Sequence, residues 1–162
     1  MTDEVDRIIA AWHVERPDLD LEPLAVLSRV SRLARHLATA RAGAFDRHGL
    51  EQWEFDVLSA LRRSGPPYHL SPGALVTQTM VTSGTMTNRI DRLEARGLVR
   101  RSPAPDDRRG VLVHLSEDGR SRVDAAFADL LTVERELLSD LAPDKAATLA
   151  GLLRVVMAPF DA

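Results

Sequence analysis

The stretch LSPGALVTQTMVTSGTMTNRIDRLEARGLVRRSPAPDDRRGVLVHLSEDG, from Leu70 to Gly119, decides the fold. Ser71-Pro72 opens it as an N-cap followed by proline at the first helical position, where the missing N–H costs nothing. The short helix begun there runs to about Gln78, and Thr79 to Val81 reads as a turn. Thr82 or Ser83 caps a second helix that runs to about Arg96, and Gly97 ends it. Leu98 to Ser102 then predicts a strand. Pro103 to Gly110 predicts a turn carrying two prolines and the run Asp106-Asp107-Arg108-Arg109. Val111 to Leu115 predicts a second strand, with Val111, Val113 and Leu115 on one face. A helix–turn–helix followed at once by a two-stranded hairpin is a winged helix. That architecture offers one helix to the major groove of DNA and a basic hairpin tip to the backbone or minor groove.

Outward from this block the chain is helical. Residues 3–16 predict a short helix with Ile8, Ile9 and Trp12 on one side, interrupted by Pro17 and followed by a linker to Pro23. Between Leu24 and about Arg47 the apolar residues Leu24, Leu27, Val30, Leu33, Ala34 and Leu37 step by three and four, the period of an amphipathic helix. Residues 51–64 predict another, with Trp53, Phe55, Val57, Leu58 and Leu61 apolar, stopped by Ser64-Gly65-Pro66-Pro67. Ser116 caps a long helix to about Asp140, and Pro143 starts a last one. The expected fold is mainly α with a small β-hairpin: one domain over 1–162. In it 1–22 is an extra N-terminal helix and linker, 51–115 the winged helix-turn-helix lobe, and 23–50 with 116–162 the dimerisation helices.

Composition narrows the function classes. The 162 residues carry 21 Lys and Arg against 24 Asp and Glu, a formal net charge of −3. Net acidity counts at first against nucleic acid, whose binding domains are often strongly basic. The charge is uneven, however: −5 over 1–22, +3 over 23–81, +3 over 82–115 and −4 over 116–162. The middle of the chain, which holds the predicted DNA-reading block, is therefore the basic part. Without a cysteine the chain has no disulfide, thiolate metal site or cysteine redox switch. His13, His36, His48, His69 and His114 are scattered, with no His-Glu-x-x-His spacing, so no metal is expected. With no Gly-x-Ser-x-Gly turn and no glycine-rich phosphate loop, neither catalytic residues nor a cofactor are expected. The acidic start MTDEVDRIIAAW does not read as a signal peptide, and no stretch of 18 apolar residues predicts a membrane span, so a cytoplasmic protein is expected.

Unrolled at about 100° per residue, the helix from Ser83 to Arg96 puts Met86, Ile90, Leu93 and Gly97 in one apolar sector. Thr85, Asn88, Arg89, Arg92 and Arg96 fall on the far side. Hydroxyl, amide and guanidinium groups so placed can hydrogen-bond base edges and phosphates. The candidate DNA-contacting residues are Ser83, Thr85, Thr87, Asn88, Arg89 and Arg92, with Arg108 and Arg109 at the hairpin tip. Asp107 is placed to hold that tip through a salt bridge to Arg109.

The same block resembles the MarR family of bacterial transcription regulators. The helix text SGTMTNRIDRLEARGLVRR and the tip pattern Asp107-Arg108-Arg109 carry the resemblance, which covers nearly the whole chain. It implies a homodimer, with the first long helix and the last two interleaved at the interface, bound to a pseudo-palindromic double-stranded operator. The N-terminal segment with Trp12 and ERPDLDLEP, together with WEFDVLSALRRSGPPYHLSP, further resembles the urate-responsive PecS/HucR-like branch. That resemblance implies a ligand site using Trp12, Asp56, Arg89 and Arg101, and a repressor released by a small anionic aromatic ligand such as urate. From the residues alone Trp12 is equally a packing residue and Asp56 plain surface, and Arg100 and Arg101 alternate along a strand, one to each face. Three readings stay open: this one, a relative answering to a phenolic or other small acid, and a winged helix used for protein contacts.

Overall fold

The computed structural model describes residues 2–105 and 107–160, with 107–109 described by backbone alone. Its helices are α1 (Glu4–Glu15), α2 (Glu22–Asp46), α3 (Gln52–Arg63), α4 (Pro72–Thr79), α5 (Ser83–Ala95), α6 (Glu117–Leu137) and α7 (Pro143–Met157). Its strands are β1 (His69–Leu70), β2 (Val99–Ala104) and β3 (Asp107–Leu115). A 3-10 turn, Ala158–Phe160, follows α7. The chain forms two compact units, Met1–Gly43 and Ala44–Ala162, with the division inside α2.

In the first unit Asp3 caps α1 and shares a capping box with Asp6, each carboxylate accepting the other's backbone N–H. Both acids also accept from Arg29 of α2, at 2.7 Å from Asp3 and 2.7 Å from Asp6, and Glu4 pairs with Arg32. The Arg29 guanidinium holds the Asp3 carboxyl down at about 2. The apolar stripe of α2 stays largely uncovered: Val26, Leu27, Val30 and Leu33 are all exposed.

In the second unit α3 is the hub, packing against α4, α6 and the sheet. Its inward residues Phe55, Val57, Leu58, Ala60 and Leu61 are buried with Phe45, Leu75, Met86, Ile90, Leu93 and Leu98. Phe45 and Phe55 stack at 4.2 Å between ring centroids. Helix ends follow the local chemistry expected of them. Ser71 accepts from the Ala74 N–H with Pro72 behind it, and Thr82 rather than Ser83 caps α5 through the Thr85 N–H. Ser116 caps α6 through the Gly119 N–H and donates its hydroxyl to the Gly97 carbonyl at 2.7 Å. Gly97, at φ +71°, turns the chain out of α5. At Gly119 the first turn of α6 lies against the Leu98 backbone so closely that a Cβ would overlap its carbonyl oxygen.

Two expectations about the sheet are corrected. It has three antiparallel strands in the order β1-β3-β2, not two. The added strand, His69–Leu70, is too short to show a period of its own, and it forms because β3 supplies a partner edge. The hairpin turn is also tighter than Pro103 to Gly110. Pairing continues to Ala104↔Asp107, with an irregularity between Pro103 and Ala104. Proline is tolerated there because β2 is an edge strand, where a missing N–H removes no ladder bond.

Among the described residues α7 has no buried side chain, and Leu152, Val155, Val156 and Met157 are exposed. On α6 Val123, Ala126 and Leu130 are buried while Phe127, Leu131 and Leu137 are not. No described helix is long and apolar enough to cross a membrane.

Candidate nucleic-acid interface

The helix–turn–helix is α4 and α5. Met86, Ile90 and Leu93 anchor α5 in the core, which leaves Ser83, Thr85, Thr87, Asn88 and Arg92 exposed and Arg89 half-buried. The hydroxyls nearest the helix start also serve the helix. Thr82 and Thr85 share a hydrogen bond at 2.9 Å, and the Thr87 hydroxyl donates to the Ser83 carbonyl at 3.1 Å.

The arginines are less free than their place on the helical wheel predicts. Arg92 donates to Glu51 at 2.8 Å and lies over the Trp53 ring at 4.6 Å. Arg89 lies over the same ring at 5.5 Å. The Trp53 indole N–H donates to Glu51 at 2.8 Å; this bond, with the Arg92 charge behind it, holds the Glu51 carboxyl below its ordinary value. Glu51, Trp53, Gly84, Thr85, Asn88, Arg89 and Arg92 thus line one open groove of about 560 Å³. Arg96, expected on the outer polar face, instead turns toward α3. It donates to the buried Glu54 at 2.5 Å and to the Gly49 carbonyl at 2.7 Å. A carboxylate removed from water needs a cation, and Arg96 is the one α5 brings within reach.

The other sequence-predicted positions divide. Arg101 on β2 donates to Asp91 at 2.5 Å and Glu94 at 2.6 Å, both on α5. Burial pushes its guanidinium down, and the two carboxylates together push it up by more, so the net shift is upward. Arg100, next in the strand, is exposed, as alternation requires. Asp56 is half-buried on α3. In the first unit Trp12 is 48% exposed and lines an open apolar groove with Ile8, Ala11 and Glu15. The side chains of Asp107, Arg108 and Arg109, with the expected salt bridge at the tip, lie outside the described residues.

Reading the sequence missed Glu51, Glu54 and Trp53, which hold α5 by its flank. The signal was present. Glu51 and Glu54 are three apart at a helix start, and Arg89, Arg92 and Arg96 step by three and four on the facing helix.

Comparison with known proteins agrees with this architecture. Residues 48–110 match the model of the MarR family. The chain is 37% identical over 150 residues to the HTH-type transcriptional regulator PecS of Dickeya dadantii, covering 93% of this chain and 90% of that protein. A variant MarR from E. coli in complex with operator DNA superposes with a TM-score of 0.71 at 28% identity, over 85% of this chain and 95% of that one. Bordetella bronchiseptica BpsR, solved in a study of how 6-hydroxynicotinic acid regulates its DNA binding, superposes at 0.61 with 30% identity, over 79% and 98%. With a winged helix-turn-helix, a polar helix face and relatives of this closeness, the chain belongs to the MarR family of DNA-binding transcriptional regulators and is not an enzyme.

Proposed function

We propose that the protein is a homodimeric, cytoplasmic repressor that leaves a pseudo-palindromic operator when a small anionic aromatic molecule binds. The observation that carries the DNA half of this reading is the division of α5 into a buried apolar side and an exposed side bearing Ser83, Thr85, Thr87, Asn88 and Arg92. Asn88 and Arg92 would read base edges, and Arg108 and Arg109 would flank the helix from the wing. Two copies of α5 in successive major grooves require half-sites about 10 bp apart. The exposed apolar residues of α2, α6 and α7 support the dimer, since soluble monomers rarely leave large apolar patches in water.

The ligand class rests on likeness. The DNA binding of the relative BpsR is regulated by 6-hydroxynicotinic acid, and the chain resembles the urate-responsive branch in its N-terminal segment and in WEFDVLSALRRSGPPYHLSP, a likeness that implies a site of Trp12, Asp56, Arg89 and Arg101. Arg101 is already neutralised by Asp91 and Glu94. An anion recruiting it would loosen its hold on α5, and a ligand shifts the DNA-binding state only through such differential contacts. The test is a mobility-shift titration of the upstream region of the gene with urate and with 6-hydroxynicotinate. Release by one of them at micromolar to millimolar concentration supports the reading, and release by neither removes the ligand half. The other nicotinate- and phenol-like acids form the panel for the second reading.

A further inference from the structure

Met80 joins α4 to α5 in a conformation that its side chain does not favour. It caps α4 with φ 52° and ψ 42°, the left-handed region, where any Cβ is crowded and glycine or asparagine is the ordinary choice. It is also 93% exposed. Its neighbour Val81 packs against the core, so the turn has already placed one apolar residue inward. The comparison with Tyr68, the other non-glycine residue at positive φ among those described, is informative. The Tyr68 carbonyl accepts from the Leu115 N–H, and its ring lies 4.9 Å from the Arg62 guanidinium. Contacts within the chain account for Tyr68. Within the chain, an unbranched thioether left in water at Met80 gains neither backbone comfort nor burial.

Met80 precedes by two residues the N-cap Thr82, so it lies at the end of α5 from which Ser83, Thr85 and Thr87 are exposed. We infer that Met80 is a specificity-determining residue whose side chain packs on the 5-methyl group of a thymine at the edge of each half-site. This rests on the major-groove placement of α5 proposed above. The chemistry fits: the thymine methyl is the apolar feature of the major groove, and methionine is flexible and polarisable enough to cover it. No charge is involved, so the contact adds sequence preference without adding phosphate neutralisation.

The test uses the full-length protein and the duplex it selects from a random library, with each thymine replaced in turn by uracil, which lacks only the methyl group. For wild type, one symmetric pair of positions should lose roughly fourfold in affinity, the worth of one buried methyl. Met80→Gly should melt no lower than wild type, bind the unmodified duplex roughly sixteenfold more weakly because the dimer loses both contacts, and make no distinction between uracil and thymine at that pair. Met80→Leu, which keeps an apolar side chain, should retain the distinction. The slope of log affinity against log salt should be the same for all three proteins. A Met80→Gly protein that still prefers thymine at every position where wild type does, or whose salt slope changes, overturns the inference. If wild type selects no duplex, the major-groove reading fails, and the Met80 contact fails with it.

Discussion

Glu54, wholly buried on α3, accepts from the Arg96 guanidinium of α5 at 2.5 Å on both oxygens, one of which also accepts the Glu51 N–H at 2.9 Å. One carboxylate therefore both starts α3 and fixes the end of the DNA-reading helix. Arg96→Ala leaves that carboxylate buried without its cation. Breaking a buried pair costs roughly 3–5 kcal/mol, and partial exposure of Arg96 puts the expected loss near or below the lower figure. Urea melts of wild type and variant at pH 7 check the magnitude; a variant as stable as wild type refutes the assignment.

Glu51 offers Arg92 a carboxylate at 2.8 Å, in competition with any phosphate or base. Glu51→Ala should therefore tighten binding to DNA of arbitrary sequence. One additional phosphate contact steepens the slope of log affinity against log salt by about 1 per subunit. Fluorescence anisotropy over a salt series reads this directly. An unchanged slope would mean that Arg92, once free of Glu51, makes no phosphate contact.

His114 on β3 lies between His69 of β1 and Arg100 of β2 in the sheet register, with ring centroids of the two histidines 5.1 Å apart. Burial, with the Arg100 and His69 charges adding to it, pushes His114 below its ordinary value of 6.5. The folded state thus binds fewer protons than the unfolded one over this range. Stability is whole above the unfolded value and is lost as pH drops below about 6.5 toward the lower folded one. His114 Nε2 lies 2.8 Å from the Ser102 hydroxyl; His114→Gln, which keeps a polar group for that hydroxyl but no titrating ring, should flatten the profile between pH 7 and pH 5. Thermal melts at half-unit intervals test it.

Gly119→Ala should destabilise the fold by about 1–3 kcal/mol, the range for an overpacked site, since the added methyl overlaps backbone rather than a side chain that can turn away. Gly84→Ala, on the exposed start of α5 with open space around it, is the control and should shift stability by less than about 0.5 kcal/mol.

Leu152 and Val156 on α7 are 61% and 51% exposed. For a monomer, Leu152→Glu is a surface change and should be silent. For the proposed dimer it places a charge in an apolar interface and should give monomers in sedimentation at micromolar concentration, with operator affinity lost in parallel.

Much of the architecture was legible because its signals are local. Ser71-Pro72, Thr82, Gly97 and Ser116 declare helix ends through hydrogen bonds made within three or four residues. Met86, Ile90 and Leu93 declare a buried face by their spacing alone. Strand β1 was not legible, since two residues carry no period and exist as a strand only beside His114 and Val113. The tighter wing was hidden for the same reason: Ala104 and Asp107 pair across the turn despite Pro103.

The candidate site divides along the same line. Sequence by itself determined which side of α5 is polar and that the basic charge is concentrated in the middle of the chain. Those properties depend on residue order and a fixed helical pitch. Only the tertiary structure decided what each arginine does. Arg92, Arg96 and Arg101 meet Glu51, Glu54 and the Asp91–Glu94 pair, partners that for the first two lie 41 and 42 residues away. A guanidinium is charged wherever it sits, but whether that charge is spent inside the protein or offered to DNA is a matter of distance in space, which one chain order does not contain.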